Sequence, residues 1–402
     1  MRAAAVLAAL ARSFEVHLFV VPVAGDASTP DEFVRRNATR IGGLDLPKHI
    51  DPLFALIARI IDPEARRHAE RAYPKPFLSR FCTGESARIL CDWNAECPAS
   101  AIHVMRLYLA PLVQGFLHGP AAAARPLCVL DLDEDDGRTC DRIARLYAAA
   151  GEIQAAQSIA SEAAKYRAFA ERFVPAFDRV TLCSEPDADR LREVIPAAHD
   201  VAVVPNSVEV SGPVVRPRSS DGPLRLLFVG TFGYFPNLDA ALFLCREVLP
   251  ALRRKADREI VLELAGSGCS GPLIEAARAG GAILHGYVDD LAPLYRTADV
   301  AIVPVRAGGG TRIKILEAFA YGVPVVATRL GAEGIDAVDG EHLLQADDPE
   351  GLAENCLRLK QHPELAAALS RRAAAFCAAR HSPAQVEAAI AEIYIDLTRR
   401  NS

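Results

Sequence analysis

The sequence predicts an α/β protein made of two doubly wound domains, each a parallel sheet covered by helices. Three observations favour this class. Short apolar runs alternate along the chain with longer amphipathic stretches. Runs in the second half, such as LRLLFVG (224–230) and VAIVPV (300–305), are apolar at consecutive positions, as in parallel strands buried on both faces. The 402 residues exceed the usual size of a single core, which favours two domains.

The elements follow from the same patterns. Strands are predicted in the first half at VHLFVVPV (16–23), ARILCDW (87–93), PLCVLDLD (126–133), DRVTLCSE (178–185) and VAVVPN (201–206). In the second half they are predicted at LRLLFVG (224–230), EIVLELAG (259–266), AILHG (282–286), VAIVPV (300–305) and PVVAT (324–328). Residues 138–176 carry Ala, Ile and Leu at three- and four-residue spacing, which predicts helix. RAAAVLAALARSF also predicts a helix, and we prefer that interpretation to a secretory signal because Arg12, Glu15 and a β-like run follow it.

The domain boundary is predicted in residues 207–223, which hold three Pro, two Gly and four Ser and have no helical period. We therefore expect a first domain over 1–212 and a second over 213–383, with a ligand cleft between them. The last segment, 384–402, predicts an amphipathic helix that packs back across both domains.

Composition excludes several classes. The chain has 45 Lys and Arg against 51 Asp and Glu, a net charge of −6, which argues against a nucleic-acid-binding protein. With 51% hydrophobic and 24% charged residues, disorder is excluded as the main state. The ten Cys include no CxxC pair, which indicates buried thiols in a reducing cytoplasm. No later run is long and apolar enough to span a membrane, whereas attachment to a membrane surface stays open.

Glycine-rich segments follow three strands of the second domain: FVGTFG (228–233), LAGSGCSG (264–271) and PVRAGGGTRIK (304–314). Such loops let backbone N–H groups approach phosphate, so they predict a phosphorylated ligand. Residues 266–271 also match GxGxxG, the dinucleotide motif, but the acid expected about 20 residues later is absent from the end of the next strand. We therefore favour a tight strand–helix turn there over a nicotinamide-binding oxidoreductase.

The third glycine loop is the most informative segment. We expect Thr311 to cap a helix whose first turn carries Arg312 and Lys314 and which Gly322 ends. Cations are unfavourable at a helix N-terminus, and a bound anion such as a diphosphate would remove that conflict. Glu317 shares a face with Lys314. It is either a partner in a surface ion pair or a carboxylate that accepts hydrogen bonds from ribose hydroxyls.

These segments, in this order and spacing, resemble family 4 of the retaining glycosyltransferases, which have the two-domain GT-B fold. The resemblance covers residues 224 to about 380 and is carried by FVGTFGYFPNLDAALFL, by HGYVDDLAPLYRTADVAIVPV and by GGGTRIKILEAFAYGVPVVAT. Within that family, the chain is most similar to sugar transferases of exopolysaccharide loci. The first half is similar more loosely, through LDLDEDDGR (130–138), FDRVTLCSEPDADRL (177–191) and VVPNSVEV (203–210).

The resemblance implies donor-site roles for matching residues. Glu317 would bind the ribose of a nucleotide sugar, and Gly309, Gly310 and Thr311 with Arg312 and Lys314 would hold its diphosphate. Tyr287 and Val288 would border the base through their main chain. The other loop, Gly230, Thr231, Phe232 and Gly233, would face the phosphates. The resemblance implies no metal and no cofactor, with the nucleotide-diphosphate sugar as donor substrate.

The chain departs from the family at two places. Relatives carry an acid eight residues before the ribose-binding glutamate, where this chain has Gly309. The family's first domain opens with a strand and a glycine-rich loop, whereas here the predicted helix directly follows Met1. We therefore expect a first domain that lacks its usual first strand.

Acids in LDLDEDD (130–136) come at the end of a predicted strand of the first domain. Asp131 and Asp133 alternate with Leu and so point to one face, where they could orient an acceptor hydroxyl. The leaving phosphate would then act as the base, and Lys314 is the third candidate catalytic residue. Asp135 or Asp136 is expected to cap the next helix. The lone histidines, His103 and His118, are interpreted as structural.

Together the sequence predicts a retaining, metal-independent hexosyltransferase of the cytoplasm or the inner face of the membrane. It would move a sugar from a nucleotide-diphosphate sugar to a glycan or lipid-linked acceptor in bacterial surface or exopolysaccharide synthesis. The alternative is a non-catalytic relative that binds nucleotide or a partner protein.

Overall fold

A computed structural model of the chain describes residues 2–23, 30–117, 125–198, 200–209 and 220–400. The chain divides into two compact units, one of residues 1–205 with 386–402 and the other of residues 206–385. His118 and most of the predicted linker lie outside the described residues. The predicted domain limits at 212 and 383 stay a prediction.

The strands are β1 (His17–Val20), β2 (Arg40–Gly43), β3 (Ala101–Met105), β4 (Leu127–Asp133), β5 (Arg179–Leu182), β6 (Val201–Val203), β7 (Leu224–Val229), β8 (Ile260–Ala265), β9 (Ile283–Gly286), β10 (Val300–Val303), β11 (Val325–Ala327) and β12 (Leu344–Gln345). The helices are α1 (Arg2–Ser13), α2 (Glu32–Asn37), α3 (Pro52–Ile57), α4 (Pro63–Ala72), α5 (Gly84–Glu96), α6 (Gln114–Leu117), α7 (Asp136–Ala149), α8 (Ile153–Phe173), α9 (Glu185–Val194), α10 (Phe235–Phe243), α11 (Leu249–Lys255), α12 (Gly271–Gly280), α13 (Ala292–Thr297), α14 (Ile313–Ala320), α15 (Pro349–Gln361), α16 (Pro363–Arg380) and α17 (Pro383–Arg400).

The second unit holds a six-stranded sheet with strand order β12-β11-β10-β7-β8-β9, and every pair that is bonded is parallel. The predicted α/β class and the five strands predicted in this half are confirmed. Leu226, Leu227 and Phe228 of β7 are all buried, although successive side chains of a strand point to opposite faces. Helices therefore cover both faces of the sheet, as the continuous apolar runs predicted.

The first unit holds a four-stranded parallel sheet with order β3-β4-β5-β6 and a separate parallel pair, β1-β2. Within the described residues no strand joins the pair to the larger sheet. The expectation that the domain lacks its usual first strand stays a prediction.

The strand predicted at 87–93 is wrong, because these residues lie inside helix α5. Thr83 caps that helix, since its hydroxyl oxygen accepts a hydrogen bond from the backbone N–H of Ser86 at 3.1 Å. The neighbouring strand of the sheet is β3, which the sequence interpretation missed. An apolar run as short as Ile89-Leu90-Cys91 fits the periodicity of a strand and that of a helix. Only the capping residue Thr83 indicates a helix here.

The helix predicted over 138–176 is confirmed as two helices, α7 and α8, separated near Gly151, whose φ of 78° lies in the left-handed region. The C-terminal helix α17 is also confirmed. It packs on the first unit, where Ile390 and Ile393 join a core with Val6 and Val129. Its predicted crossing of both domains stays a prediction. Across the described part of the chain, no helix has both the length and the apolar character needed to cross a bilayer.

Candidate functional site

Three loops of the second unit follow neighbouring strands of the sheet. Strand β7 lies between β10 and β8, and the glycine-rich segments 230–233, 266–268 and 304–312 follow β7, β8 and β10 respectively. The carboxyl ends of parallel strands meet at one edge of the sheet, so the three loops predicted to bind phosphate are brought together there.

The loops after β7 and β8 are joined by main-chain hydrogen bonds. The N–H of Phe232 donates to the carbonyl of Ser267 at 2.7 Å, and that of Gly230 donates to Ala265 at 3.0 Å. A Cβ on Gly266, whose φ is 150°, would lie 1.8 Å from the carbonyl oxygen of Gly230. A Cβ on Gly268 would likewise lie 2.5 Å from the backbone nitrogen of Gly233. The first two glycines of the GxGxxG match are therefore required for the packing of two loops, which explains them without a bound dinucleotide.

The predicted donor residues of the loop after β7 differ in exposure. Thr231 and Gly233 are exposed, so their main chain is accessible to a ligand. Phe232 is buried and packs in the core of the unit. Phe232 can therefore contribute only its backbone to a donor site.

Asn237, near the start of α10, connects this loop to Lys314. Its side-chain amide donates to the carbonyl of Thr231 at 3.0 Å, and its Oδ1 accepts a hydrogen bond from Lys314 Nζ at 2.5 Å. A Cβ on Gly230 would lie 2.8 Å from Asn237 Cγ and 3.0 Å from Lys314 Nζ. Because Gly230 has no side chain, the Asn237 amide and the Lys314 ammonium have space to meet beside it. The sequence interpretation missed Asn237.

The loop after β10 differs from its prediction in one respect. Helix α14 begins at Ile313 with Arg312 at the N-cap, so the prediction that Thr311 caps it is wrong. The Thr311 hydroxyl instead donates to the carbonyl of Gly334 at 3.3 Å. Gly310 has a φ of 64°, in the left-handed region that favours glycine. The predicted end of the helix is confirmed, with Gly322 at a φ of 64° just after Tyr321.

Arg312 folds back beneath its own loop. Its guanidinium donates to the carbonyls of Gly309 and Gly310, and the side chain is buried. Two of its nitrogens, Nε and Nη2, are buried with no hydrogen-bond partner. Arg312 therefore braces the glycine loop, and the predicted contact of its side chain with a diphosphate stays a prediction.

Lys314 lies beside the loop after β7, where a Cβ on Gly230 would be 3.0 Å from its Nζ. Its ammonium lies 4.5 Å from the centre of the Phe228 ring. Burial lowers the pKa of Lys314 to about 7, and the positive charge of Arg312 acts in the same direction, while Glu317 opposes them. An anion bound beside this ammonium would stabilise its charged form.

Glu317 lies one turn further along α14 and is half-buried. Its Oε2 accepts a hydrogen bond from the hydroxyl of Tyr295 at 3.2 Å, and Tyr295 stacks on Tyr321 with ring centres 4.7 Å apart. Burial raises the pKa of Glu317, whereas Tyr295 and Lys314 act to lower it. The surface ion pair with Lys314 is not formed in the structure, because Lys314 bonds to Asn237 instead. Tyr295, which orients the carboxylate, was missed at the level of sequence.

The segment after β9 carries Tyr287, which is exposed, and Val288, which is half-buried. The carbonyl of Gly286 accepts a hydrogen bond from the N–H of Gly266 at 2.7 Å, so this segment joins the loop after β8. His285 Nε2 lies 3.1 Å from a carboxylate oxygen of Glu263 on β8. The main chain at 287–288 therefore has a fixed position beside the glycine loops.

The acids of the first unit are paired with arginines. Asp131 is fully buried, and its two carboxylate oxygens accept hydrogen bonds from Nε and Nη2 of Arg2 at 2.9 and 3.0 Å. His103 Nε2 lies 3.6 Å from the same carboxylate, and its Nδ1 lies 3.0 Å from the hydroxyl of Tyr394. Burial acts to raise the pKa of Asp131, but Arg2 and His103 outweigh it and lower the pKa to about 2. This environment favours a structural ion pair over contact with an acceptor.

A carboxylate oxygen of Asp133 also lies 3.6 Å from Arg2 Nε. The strand is irregular between Asp131 and Asp133, whose φ is 63°, so the shared face stays a prediction. The other oxygen of Asp133 accepts a hydrogen bond from Arg106 at 3.0 Å, and Arg106 also bonds Asp136 at 2.7 Å. Burial raises the pKa of Asp133 even though Arg106 and Arg2 act to lower it. Asp135 caps α7, where its Oδ1 accepts from the N–H of Arg138 at 2.9 Å. Of the two predicted acceptor-side acids, Asp133 is the more exposed, and the roles of both stay predictions.

Comparison with known proteins shows what the second unit is similar to. Residues 223–362 match the family model described as glycosyl transferases group 1. The second unit is thus similar to the group 1 glycosyltransferases over about a third of the chain. The matched residues enclose all three glycine loops and helix α14, so the candidate site lies wholly within them.

Two curated relatives are similar to part of the chain. The phosphatidyl-myo-inositol mannosyltransferase of Mycobacterium leprae (strain TN) is 32% identical over 177 residues, which are 41% of this chain and 46% of the relative. That of Mycolicibacterium smegmatis is 32% identical over 184 residues, 43% of this chain and 46% of the relative. The chain thus matches about half the length of these relatives.

Solved structures extend the similarity to the whole chain at low identity. Sucrose-phosphate synthase from Thermosynechococcus elongatus has a TM-score of 0.68 at 17% identity and covers 98% of this chain and 92% of its own. A glycosyltransferase from Rickettsia africae has a TM-score of 0.64 at 11% identity, over 99% and 94%. Anabaena HepE in complex with UDP and glucose has a TM-score of 0.61 at 13% identity, over 98% and 96%. These similarities confirm the predicted GT-B fold with two Rossmann-like domains.

Proposed function

We propose that the protein is a retaining glycosyltransferase that takes its sugar from a nucleotide-diphosphate sugar. The observation that carries this proposal is the position of Lys314 in the second unit, where its ammonium faces the glycine loop after β7 and bonds to Asn237. A half-buried ammonium beside backbone glycines suits a diphosphate. The UDP and glucose in the complex of HepE, which has a similar fold, support a sugar nucleotide as donor.

Each residue of the site has a proposed role in the transfer. Lys314 and the N-terminus of α14 stabilise the negative charge that develops on the departing diphosphate as the sugar passes through an oxocarbenium-like state. Glu317, oriented by Tyr295, accepts hydrogen bonds from the ribose hydroxyls. The main chain at Tyr287 and Val288 borders the base. With Lys314 present, the leaving group has a cation without a metal ion, and no cofactor takes part.

The proposed acceptor is a glycan or a lipid-linked molecule. The names of both curated relatives, phosphatidyl-myo-inositol mannosyltransferases, support a hexose as the sugar and a lipid as the acceptor. The likeness of GGGTRIKILEA to sugar transferases of exopolysaccharide loci supports a role in bacterial surface polysaccharide synthesis. We place the reaction in the cytoplasm, at the inner face of the membrane.

Sugar transfer tests this proposal directly. We expect the full chain to transfer labelled hexose from at least one of UDP-glucose, UDP-GlcNAc, GDP-mannose or ADP-glucose to a lipid extract, and we expect Lys314→Met to lose most of that activity. Lys255→Met is the matched control, because Lys255 is a surface lysine of the same unit bonded to Glu354. Nucleotide binding without transfer from any donor would favour the alternative, a non-catalytic relative, which the Gly309 position already suggests.

The pKa of Lys314 predicts a pH dependence of nucleotide affinity. The pKa of the free protein's ammonium is about 7, and a bound diphosphate favours the charged form, so it raises that pKa. Binding therefore takes up a proton when the pH is above about 7, and affinity falls as the pH rises through that range. Calorimetry at about pH 8 in two buffers of different ionisation enthalpy measures the proton. Equal apparent enthalpies in both buffers would contradict the prediction.

A further inference from the structure

The ammonium of Lys314 carries a charge that no carboxylate pairs with in the described part of the chain. Its one hydrogen bond there is donated to Oδ1 of Asn237 at 2.5 Å, and the carboxylate of Glu317 bonds to Tyr295 instead. A lysine ammonium has three N–H donors, so two of them have no acceptor among the described residues. The side chain is half-buried, and the charge of Arg312 disfavours its charged form. A cation in this environment suits an anionic ligand.

Contacts on both sides fix the side-chain amide of Asn237, near the start of α10. Its Nδ2 donates to the carbonyl of Thr231 at 3.0 Å, which leaves Oδ1 as the atom that accepts from Lys314. Two positions further along α10, the carboxylate of Asp239 accepts hydrogen bonds from Arg306 of the loop after β10 at 2.7 and 3.0 Å. The start of α10 is therefore attached to both loops, and its acid is paired with an arginine and not with Lys314.

The neutrality of the amide matters for the charge of the ammonium. A carboxylate in this place would pair with Lys314, and a bound diphosphate would then meet a like charge. An apolar side chain would leave the half-buried ammonium without an acceptor, which favours the neutral amine. An amide oxygen, in contrast, orients the N–H group and leaves the positive charge uncancelled.

We propose that Asn237 is a positioning residue for the donor diphosphate. It holds the Lys314 ammonium beside the loop after β7 and, because it is neutral, leaves the charge of that ammonium to the ligand. The inference rests on the proposed function, since it gives Asn237 a role in the same site. In a purely structural role, Asn237 would only tie α10 to Thr231, and the charge state of Lys314 would not depend on it.

Two substitutions of similar size separate these roles. Asn237→Asp and Asn237→Leu both lose the hydrogen bond to the carbonyl of Thr231, so a purely structural role predicts the same effect for both. Under the proposal they act in opposite directions on Lys314. The added carboxylate raises the pKa of its ammonium, whereas the loss of the acceptor lowers it.

The first measurement uses the full chain without a ligand. Only the neutral amine reacts with acetic anhydride, so the rate of acetylation of Lys314, followed by mass spectrometry over a range of pH, reports the pKa of its ammonium. We expect a midpoint of about 7 in the wild type, a lower one in Asn237→Leu and one at least about one pH unit higher in Asn237→Asp. Equal midpoints in the three proteins would overturn the proposal.

The second measurement is the proton uptake on binding of UDP-glucose, or of GDP-mannose or ADP-glucose if one of these binds more tightly. These ligands lack the terminal phosphate that titrates at about pH 6. At about pH 7 the wild type should take up about half a proton, because about half of its Lys314 is charged before binding. We expect about one proton for Asn237→Leu and about none for Asn237→Asp, whose affinity should also fall at least about tenfold. Calorimetry in two buffers of different ionisation enthalpy measures both quantities.

Asn355→Asp and Asn355→Leu are the matched controls. Asn355 is a half-buried residue of α15 in the same unit, and its amide donates to the carbonyl of Gln345 at 3.1 Å. Neither control should change the midpoint of Lys314 or the proton uptake. A melting temperature close to that of the wild type verifies that each variant is folded, and Asn237→Asp, which replaces only the amide NH₂ by oxygen, tests the proposal even if Asn237→Leu does not fold.

The inference and the proposed function can fail separately. Opposite shifts of the Lys314 midpoint in a protein that binds no sugar nucleotide would reject the proposed function but support the control of the Lys314 charge by Asn237. Sugar-nucleotide binding that is lost in Lys314→Met but has the same affinity and proton uptake in both Asn237 variants as in the wild type would keep the proposed function and overturn the inference.

Discussion

Replacement of Lys314 by Met is expected to weaken the affinity for a nucleoside diphosphate by roughly ten- to a hundredfold, because a charge-assisted hydrogen bond to phosphate contributes about 1.5–3 kcal/mol. The same change should leave the affinity for the bare nucleoside almost unaltered, since the ammonium faces the glycine loop and not the proposed ribose position. Met keeps the length of the side chain and its packing on Phe228. Calorimetry with UDP and uridine, or the matching pair of the preferred base, measures both affinities.

Glu317→Gln should produce the opposite pattern. The amide keeps the shape of the carboxylate but weakens charge-assisted hydrogen bonds from ribose hydroxyls, so nucleoside and nucleoside diphosphate should lose similar factors of affinity. Glu354→Gln, on the surface of the same unit, is the control and should change neither. If both Lys314→Met and Glu317→Gln retain wild-type affinities, the donor site described above is wrong.

Asp131→Asn is expected to destabilise the first unit by about 3–5 kcal/mol, because it removes the carboxylate that bonds two nitrogens of the buried Arg2 guanidinium and leaves only the longer contact with Asp133. The control is Asp141→Asn, which removes a more exposed ion pair with Arg167 and should cost less than about 1 kcal/mol. Trp93, the one tryptophan of the chain, lies in helix α5 of the first unit, so its fluorescence during urea unfolding follows this unit. Equal midpoints for the two variants would contradict the structural role of the pair.

The same pair predicts how acid acts on the first unit. The pKa of Asp131 is about 2 in the folded protein, below its ordinary value of 3.8. A lowered folded-state pKa contributes stability at pH values above the ordinary pKa, and this contribution is lost as the pH falls from about 4 to about 2. Trp93 fluorescence at falling pH should therefore show acid unfolding of the wild type in that range, and Asp131→Asn should have lost this part of the pH dependence.

Burial pattern explains which parts of the fold were predictable. Strands β7, β8, β10 and β11 of the second unit are largely buried on both faces, so each appears as a nearly continuous apolar run. All five strands predicted in this half are present in the structure. Strand β3 was missed and residues 87–93 were assigned to the wrong class, because the segment between Cys82 and Met105 contains short apolar runs of ambiguous period. There the cap at Thr83 decides the structure.

The candidate site was predictable where a motif carries the chemistry. Glycine loops and a helix beginning with cations placed Lys314 and Glu317 together. Asn237 and Tyr295 could not be found in that way, because a single Asn or Tyr has no recognisable pattern and becomes meaningful only when the fold brings it to Lys314 or Glu317. The inward fold of Arg312 depends on carbonyl directions in the glycine loop, which residue types do not reveal.

The most direct test of the donor site is the melting temperature of the full chain with saturating UDP, GDP or ADP. A ligand at a hundredfold excess over its Kd stabilises the folded state by about 2.7 kcal/mol, so at least one nucleotide should raise the transition of the second unit. The rise should disappear in Lys314→Met and persist in Lys255→Met. A melting temperature that none of the three nucleotides changes would contradict the assignment of the second unit as a nucleotide-sugar site.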